Sequence, residues 1–287
     1  MGRVQDQVAI VTGGANGIGR ACAKIFVEEG ARVVIGDIDA GALESAARAL
    51  TEAGGEVTTV LGDVSEEGAA AALVSAAVER FGRVDILVNN VGRSRYAKIW
   101  EMSVEDWDFA IHVNLRAAFL CTRAAVHHMM RQRSGRIVCI SSLAAENTSG
   151  PMFAYSATKA GVRIMVRGWS QDLGPHGITV NAIGPGVIET PLAQGLAGDP
   201  GGTIRTRLEA RTPVGRVGRP SDIAGLVSFM AGADGAFMSG AYVLMDGGIR
   251  DARAGWEPDE SAVDELQRHM AAAQARRAKL QPLIDER

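Results

Sequence analysis

The chain has 287 residues, of which 47% are hydrophobic, and its formal net charge at pH 7 is −3. This composition suffices for one large α/β core, and the balanced charge argues against nucleic acid or an anionic membrane as the main partner. Three cysteines and five histidines without ligand spacing argue against a disulfide framework or a metal site, and the lack of a signal peptide or membrane-spanning run predicts a cytoplasmic protein.

Short strand-like runs rich in Val and Ile alternate with longer Ala-rich helical runs. Each strand-like run is apolar at nearly every position, as expected for strands covered on both faces. The predicted strands are 8–12, 32–37, 56–63, 85–90, 136–142, 178–184 and 241–246. The predicted helices are 17–29, 40–53, 66–81, 104–132, 153–173 and 221–232. This alternation predicts a single Rossmann-like, doubly wound α/β domain with a mostly parallel seven-stranded sheet and helices on both faces.

Two stretches interrupt the alternation. Residues 184–212 are rich in Gly and Pro and are long for a connection inside a compact domain, so we expect a substrate loop there. Residues 250–287 have mixed charge and only a partial apolar stripe, which indicates an extension that is helical or partly disordered. The sequence therefore predicts a domain over 1–249 and a C-terminal extension over 250–287.

A glycine-rich turn, TGGANGIG at 12–19, joins the first predicted strand to the first helix. Glycines let the backbone turn tightly and approach a pyrophosphate, while the helix N-terminus offers free N–H groups and a partial positive charge. The turn therefore predicts a dinucleotide site, although a glycine-rich turn between a strand and a helix can also be purely structural. The predicted cofactor-binding residues here are Gly13, Asn16, Gly17, Ile18 and Gly19.

Two carboxylates follow the next predicted strands. Asp37 ends the second strand, where a carboxylate can accept both ribose hydroxyls of NAD and repels the 2′-phosphate of NADP. We therefore predict NAD as the cofactor, with Ile38 as a further cofactor-binding residue. Asp63 ends the third strand and is followed by Val64, which places this pair to bind the adenine edge. The alternative for Asp63 is a solvated turn carboxylate.

A phenol and an amine, Tyr155 and Lys159, stand one helical turn apart in AYSATKAG. A nearby ammonium favours the phenolate and lowers the pKa of a tyrosine, so Tyr155 could exchange a proton with a carbinol or carbonyl oxygen. Ser142, at the end of the fifth strand, would hold the same oxygen, and Lys159 would also bind the nicotinamide ribose. We expect Asn114 to hold a water that links Lys159 to solvent, or else to make a local bond within its helix.

Together these motifs resemble the short-chain dehydrogenase/reductase family. The resemblance runs in order from about residue 5 to 249, and it implies a catalytic tetrad of Asn114, Ser142, Tyr155 and Lys159. The motifs that carry it are TGGANGIG, Asp37, Asp63-Val64, NNVG at 89–92, Asn114, Ser142, Tyr155-x-x-x-Lys159 and GPGVIETP at 184–191.

The resemblance also implies contacts that the residues alone do not establish. The backbone after Pro185-Gly186, at Ile188, and the Thr190 hydroxyl would hold the nicotinamide carboxamide. Asn90, Val91 and Gly92 would lie along the cofactor; the family usually has Ala where Val91 stands, and Val can still pack there. A substrate loop over about 191–212 would order on binding. A homotetramer, or less often a dimer, would be built on the helices 104–132 and 153–173.

Three hypotheses for the activity follow. The first is an NAD-dependent dehydrogenase of a small or medium secondary alcohol, cyclic or acidic, in which Arg93 or Arg95 could pair with an anionic group. Surface arginines beside a subunit contact are the alternative for these two residues. The second is a 3-oxoacyl-carrier-protein reductase that uses NADP, with basic charge from MMRQRSGR at 129–136, against which Asp37 argues. The third is a dinucleotide-binding or scaffold protein without turnover, which has no need of the tetrad.

Overall fold

The computed structural model describes residues 2–193 and 202–250 of the chain. In these residues seven strands form one sheet. The strands are β1 (Val8–Thr12), β2 (Arg32–Asp37), β3 (Val57–Leu61), β4 (Ile86–Asn89), β5 (Gly135–Ile140), β6 (Ile178–Pro185) and β7 (Tyr242–Met245). The helices are α1 (Gly17–Glu28), α2 (Ala40–Glu52), α3 (Glu67–Phe81), α4 (Val104–Ile111), α5 (Ala117–Gln132), α6 (Phe153–Leu173), α7 (Thr203–Arg211) and α8 (Pro220–Ala231).

All neighbouring strands are parallel, in the order β3-β2-β1-β4-β5-β6-β7. The predicted doubly wound fold is therefore confirmed. The chain order reverses between β1 and β4, and ligands of such sheets bind outside the carboxyl ends of the strands at this point. The glycine-rich turn follows β1 and the NNVG segment follows β4, so both lie at the reversal.

Buried side chains cover both faces of the sheet. One apolar cluster packs α1, α2 and α8 against it, with Phe26 and Ile223 fully buried. The other packs α3, α5 and α6 against the opposite face, with Leu73 and Met129 fully buried. Because each central strand is covered twice, its sequence is apolar at successive positions rather than at alternate ones.

The predicted elements differ from the observed ones in two places. The predicted helix 104–132 is continuous but contains a π-helical turn at His112–Arg116, between α4 and α5. The predicted loop 184–212 contains the helix α7, which begins after Gly202 and has an Arg205–Glu209 pair at the i,i+4 spacing. Its sequence TIRTRLEAR has no apolar stripe, so hydrophobic periodicity could not reveal it.

Parts of two predictions fall outside the described residues. The centre of the predicted substrate loop, 194–201, lies there, as does the predicted extension beyond Arg250. Among the described residues, no helix has both the length and the apolar character that crossing a membrane requires.

Candidate active site

The turn after β1 depends on residues without side chains. Gly13 and Gly17 have φ angles of +61° and +52°, in the left-handed region that favours glycine. A Cβ atom on Gly19 would overlap the carbonyl oxygen of Gly13 and lie 2.6 Å from Nδ2 of Asn90. The glycines therefore allow a tight turn that packs closely against Asn90 at the N-terminus of α1, the kind of turn that can present N–H groups to an anionic ligand.

Thr12 and Asn90 join the carboxyl ends of β1 and β4. The Asn90 side chain donates to the carbonyls of Thr12 and Gly13, at 3.0 and 3.1 Å. The backbone N–H groups of Asn90 and Val91 both donate to Oγ1 of Thr12, at 2.9 and 3.2 Å. Thr12 was not among the predicted site residues, and its only signal in the sequence is a hydroxyl at the end of an aliphatic strand.

The carboxylate of Asp37 is half-buried at the end of β2. It accepts hydrogen bonds from the backbone N–H groups of Ala15, Ile38 and Asp39, at 3.2, 2.8 and 3.2 Å. Asp37 therefore fixes the start of the segment after β2 against the glycine-rich turn. Arg32 is at the other end of β2, where its guanidinium donates to the Asp6 carbonyl. Strand β2 therefore places no arginine beside Asp37.

The second carboxylate, Asp63, is exposed after β3. Its Oδ1 accepts from the backbone N–H and the hydroxyl of Ser65, at 2.9 and 2.7 Å. Val64 between them is buried. Asp63 therefore makes the contacts expected of a turn carboxylate, which was the alternative prediction. Its contact with adenine stays a prediction.

Tyr155 and Lys159 lie inside the protein where β5 ends and α6 begins. They are 8% and 3% exposed. Nζ of Lys159 donates to the carbonyl of Ile140 at 2.9 Å and lies 5.7 Å from the centre of the Tyr155 ring. The side chain of Ser142 lies close enough to the Tyr155 phenol to lower its pKa. The structure thus brings the predicted phenol, amine and hydroxyl together.

Burial sets the acidity of this group. It raises the pKa of Tyr155 to about 12, and the hydrogen bond with Ser142 lowers that pKa by less than burial raises it. Burial also lowers the pKa of Lys159 to about 8. The expectation of a lowered tyrosine pKa is therefore wrong for the polypeptide by itself, because desolvation of the phenolate outweighs its neighbours.

Asn114 is 1% exposed and lies in the π-helical turn. Its Oδ1 accepts from the N–H of Arg93 at 2.9 Å, and its Nδ2 donates to the carbonyls of Arg93 and Ala110, at 2.8 and 2.9 Å. A Cβ atom on Gly92 would lie 3.0 Å from Nζ of Lys159 and 3.1 Å from Oδ1 of Asn114. Asn114 therefore makes the predicted local bond and reaches the surroundings of Lys159, while its predicted water stays a prediction.

The loop after β6 lies against the glycine-rich turn. Ile188 is buried and forms an isolated parallel bridge with Gly218. Thr190 donates to the carbonyl of Ile188 at 3.3 Å, and its Cγ2 lies 3.1 Å from the position that a Cβ of Gly17 would take. Because Gly186 also bonds to β7, this loop is held at the carboxyl edge of the sheet beside the other predicted residues.

The two arginines after NNVG differ in their contacts. The guanidinium of Arg95 pairs with Asp106 at 3.8 Å and lies 4.5 Å from the centre of the Phe109 ring. Arg93 is exposed and is held through its backbone by Asn114. Of the two, Arg95 is therefore the one engaged by the protein's own acid.

Comparisons with known proteins show which family the chain resembles. Residues 13–250 match the family described as enoyl-(acyl carrier protein) reductase. The chain is 40% identical over 244 residues to the cis-4-hydroxycyclohexanecarboxylate dehydrogenase of Sinomonas cyclohexanicum, covering 85% of this chain and 96% of that protein. It is 36% identical over 247 residues to the 3-oxoacyl-(acyl-carrier-protein) reductase FabG of Thermotoga maritima, covering 86% of this chain and 99% of that protein.

A further relative and a solved structure show similar coverage. The (2S)-[(R)-hydroxy(phenyl)methyl]succinyl-CoA dehydrogenase subunit BbsD of Thauera aromatica is 39% identical over 245 residues, which are 85% of this chain and 97% of that protein. The crystal structure of gox2181 superposes with a TM-score of 0.82 at 36% identity, covering 87% of this chain and 97% of that chain.

Proposed function

This chain belongs to the short-chain dehydrogenase/reductase family, and we propose that it is an NAD-dependent oxidoreductase acting on a secondary alcohol or ketone. The observation that carries the proposal is the buried pair of Tyr155 and Lys159, with half-buried Ser142 beside it, at the sheet edge that also carries the glycine-rich turn. A protein that only binds a dinucleotide has no need to bury a phenol and an amine together. With NAD mostly oxidised in cells, alcohol oxidation in the cytoplasm is the proposed direction and place.

The described residues fit a nicotinamide dinucleotide. Gly19 lets the start of α1 pack against the Gly13 carbonyl and Asn90, and such a tight turn at a helix N-terminus suits a pyrophosphate against backbone N–H groups. When bound, the nicotinamide supplies the site that accepts or donates hydride. The residues that would hold the dinucleotide are Gly13, Asn16, Gly17, Ile18, Gly19, Asp37, Ile38, Asp63, Val64, Asn90, Val91, Gly92, Tyr155, Lys159, Pro185, Gly186, Ile188 and Thr190.

Tyr155 is the proposed acid–base group. With its pKa raised to about 12 by burial, the phenol is protonated at neutral pH, which is the form that donates a proton to a ketone oxygen. Alcohol oxidation needs the phenolate, and the Ser142 hydrogen bond and the Lys159 ammonium both favour it. Ser142 would also hold the substrate oxygen, and Asn114 would hold the segment at Arg93 beside Lys159.

Asp37 supports NAD over NADP. Its carboxylate stands at the carboxyl end of β2, and Arg32 lies five residues away along the strand, roughly 16 Å at the usual rise per residue. A 2′-phosphate at Asp37 would therefore meet negative charge and no cation from β2. Both oxygens of Asp37 already accept backbone N–H groups and keep further lone pairs for ribose hydroxyls.

Asp37→Asn tests this assignment, because its one carbonyl oxygen can still accept the N–H groups of Ile38 and Asp39, and the bond from the Ala15 N–H is lost. We expect NADH affinity to fall and the preference for NADH over NADPH to relax by about tenfold, because the repulsive charge is gone. Asp63→Asn is the matched control: adenine is common to both cofactors, so its preference ratio should stay within about twofold. Titration of each protein with NADH and NADPH measures both ratios, and an unchanged preference in Asp37→Asn contradicts the ribose role.

An acidic or cyclic secondary alcohol is the proposed substrate class. Two relatives have names that describe a hydroxycyclohexanecarboxylate and a hydroxyl-bearing succinyl thioester, both of them acids. Arg93, exposed directly after Gly92, supports an anionic substrate. The test is NADH formation from cis-4-hydroxycyclohexanecarboxylate against cyclohexanol, which lacks only the carboxylate. A higher kcat/KM for the acid supports the class, and equal values contradict the anionic part.

The second candidate is a carrier-protein-linked reductase, favoured by the relative from Thermotoga maritima and by the name of the matched family. Oxidation of NADPH by a 3-oxoacyl thioester, with no oxidation of any alcohol, would put this candidate first. Binding of NADH without turnover of either substrate class would instead indicate the binding or scaffold function.

We also propose that the protein is a homotetramer, with a dimer as the alternative. The support is a set of large apolar side chains that α4, α5 and α6 leave exposed, namely Val104, Trp107, Phe119 and Ile164. Sedimentation of the full chain measures the state, and a monomer at micromolar concentration contradicts it.

A further inference from the structure

A tyrosine on the edge strand reaches across the sheet to the proposed catalytic serine. Tyr242 begins β7 and pairs with Ala182 on β6. Its hydroxyl donates to the carbonyl oxygen of Ser142, beyond the end of β5, at 2.6 Å. The two residues are 100 positions apart in the chain, and the strand β6 lies between their strands in the sheet.

Gly184 makes this crossing possible. A Cβ atom at Gly184 would overlap the Tyr242 hydroxyl and would lie 2.6 Å from the Cζ atom of the ring. Every other residue type carries a Cβ atom, so only glycine lets the ring pass over β6 in this position. The position of the Tyr242 ring on β7 therefore depends on glycine at position 184 on β6.

The hydroxyl of Tyr242 is held as a donor. Burial raises its pKa to about 12, with a further contribution from the carboxylate of Glu146, so the phenol stays protonated throughout the working pH range. The guanidinium of Arg163 lies 4.7 Å from the ring centre and pairs with Glu146 at 2.9 Å. Glu146 also pairs with Arg250. The ring is thus fixed from α6 and from the turn that follows Ser142.

Few other hydrogen bonds hold Ser142 itself, although the preceding Ser141 donates to the carbonyls of Ile183 and Lys159. The Ser142 hydroxyl accepts the N–H of Ala144 at 3.1 Å, and its carbonyl also accepts the N–H of Ala145 at 2.9 Å. Both donors belong to the same short turn and move with it. Tyr242 is the donor to Ser142 that is anchored in the sheet, so it adds a link at the carbonyl of the serine to the hold that Ser141 provides on the other side.

We propose that Tyr242 is a positioning residue, which fixes Ser142 so that the serine hydroxyl meets both Tyr155 and the substrate oxygen. This inference rests on the proposed function. A displacement of a reacting or holding group by about 1 Å can reduce a rate by about a hundredfold. The hydrogen bond from Tyr242 opposes such a displacement without touching substrate or cofactor.

The test is a double-mutant cycle that combines Tyr242→Phe with Ser142→Ala. Tyr242→Phe keeps the ring and removes the donor, and we expect kcat for the best alcohol to fall about tenfold, with KM and NADH affinity within about twofold. In the Ser142→Ala background, the same change should alter kcat by less than about twofold, because its target is gone. An equal loss in both backgrounds, or none in the wild-type background, would overturn the proposal.

Gly184→Ala provides a test of the crossing. Alone it should lower the melting temperature, because the new Cβ overlaps the tyrosine. In a Tyr242→Val background, which lacks the ring, Gly184→Ala should lower the melting temperature less than it does in the wild type, because only the flexible Leu244 side chain remains within 3 Å of the new Cβ, and kcat should stay below the wild-type value. A fully stable Gly184→Ala single variant contradicts the crossing.

Crystal structures of the wild type and Tyr242→Phe decide the positioning without any turnover. A shift of the Ser142 Oγ atom by more than about 0.5 Å supports the proposal, and a smaller shift overturns it. If the wild-type protein oxidises no alcohol and reduces no ketone, the proposed function fails. The two structures would still show whether Tyr242 fixes the position of the Ser142 Oγ atom.

Discussion

The two halves of the sheet build their parts of the site by opposite means. On the β1–β2 side, the site is the turn at Gly13–Gly19, where positive φ angles and the lack of Cβ atoms allow close packing of the backbone. On the β5–β7 side, the site consists of buried side chains, and burial shifts the pKa values of Tyr155 and Lys159 away from their ordinary values. The β1–β2 side depends on glycines, whose lack of a Cβ atom allows close packing. The β5–β7 side depends on polar side chains that are buried away from water.

This difference separates the expected effects of substitution. Adding an atom on the glycine side introduces overlap and weakens cofactor binding. Removing a polar atom on the β5–β7 side leaves the shape intact and acts on the rate, and where that atom carries a desolvated charge, its removal stabilises the fold. Three substitutions test the two sides of this comparison.

Tyr155→Phe should have the largest effect. It removes the proposed acid–base oxygen and keeps the buried ring, so kcat should fall by about a thousandfold, while NADH affinity stays within about threefold. Steady-state rates and NADH titration measure the two quantities. Tyr96→Phe is the matched control, because Tyr96 lies near Tyr155 and is half exposed. The Tyr96→Phe variant should keep kcat within about threefold of the wild-type value. Near-normal turnover in Tyr155→Phe contradicts the assignment.

Gly19→Ala should act on the other half with a smaller effect. The added Cβ would overlap the Gly13 carbonyl oxygen, and strain of about 1–3 kcal/mol corresponds to NADH affinity weaker by about ten- to a hundredfold if the turn shifts. Gly68→Ala is the control, because Gly68 lies in α3 with no atom within 4 Å of its Cβ position. It should bind NADH normally and gain up to about 1 kcal/mol of stability. Equal NADH affinity in both variants would contradict the proposal that a Cβ atom at position 19 weakens cofactor binding by overlap with Gly13.

The fold and the members of the site could be predicted from the sequence because each leaves a local pattern. Strands covered on both faces are apolar throughout, and the glycine-rich turn and the Tyr155–Lys159 pair are short motifs at strand ends. Contacts between distant segments leave no such pattern. Thr12 meets Asn90 across 78 positions, and Tyr242 meets Ser142 across 100. The partly buried helix α7 has no regular apolar stripe in its sequence, so the sequence did not predict it.

The acidity of Tyr155 shows a second limit of sequence-based inference. The spacing of Tyr155 and Lys159 correctly predicts proximity, and proximity to an ammonium lowers a phenol pKa. The degree of burial depends on how β5, α6 and the segment at Gly92 pack, which no short motif contains. In the structure, burial has a larger effect on the Tyr155 pKa than the neighbouring groups have. Burial disfavours the charged form of both residues, so it raises the pKa of Tyr155 and lowers that of Lys159.

Lys159→Met should therefore stabilise the protein while removing its activity. Burial lowers the pKa of Lys159 from 10.5 to about 8, so the folded protein binds this proton less well than the unfolded chain. The destabilisation is complete below about pH 8 and disappears as the pH rises through 10.5. Replacement by a neutral side chain of similar size should raise the free energy of unfolding near pH 7 by about 2 kcal/mol, after the lost bond to Ile140 is included.

Urea unfolding of both proteins between pH 7 and pH 10 measures this gain and its decline. Lys24→Met is the control: Lys24 is exposed on α1 and pairs with Glu28, so its removal should change stability by less than about 0.5 kcal/mol at every pH. A gain in Lys159→Met that does not decline with pH would indicate better packing rather than relief of a desolvated charge. A loss of stability at pH 7 would mean that the bond to Ile140 outweighs desolvation, and that the β5–β7 half carries no such destabilising charge.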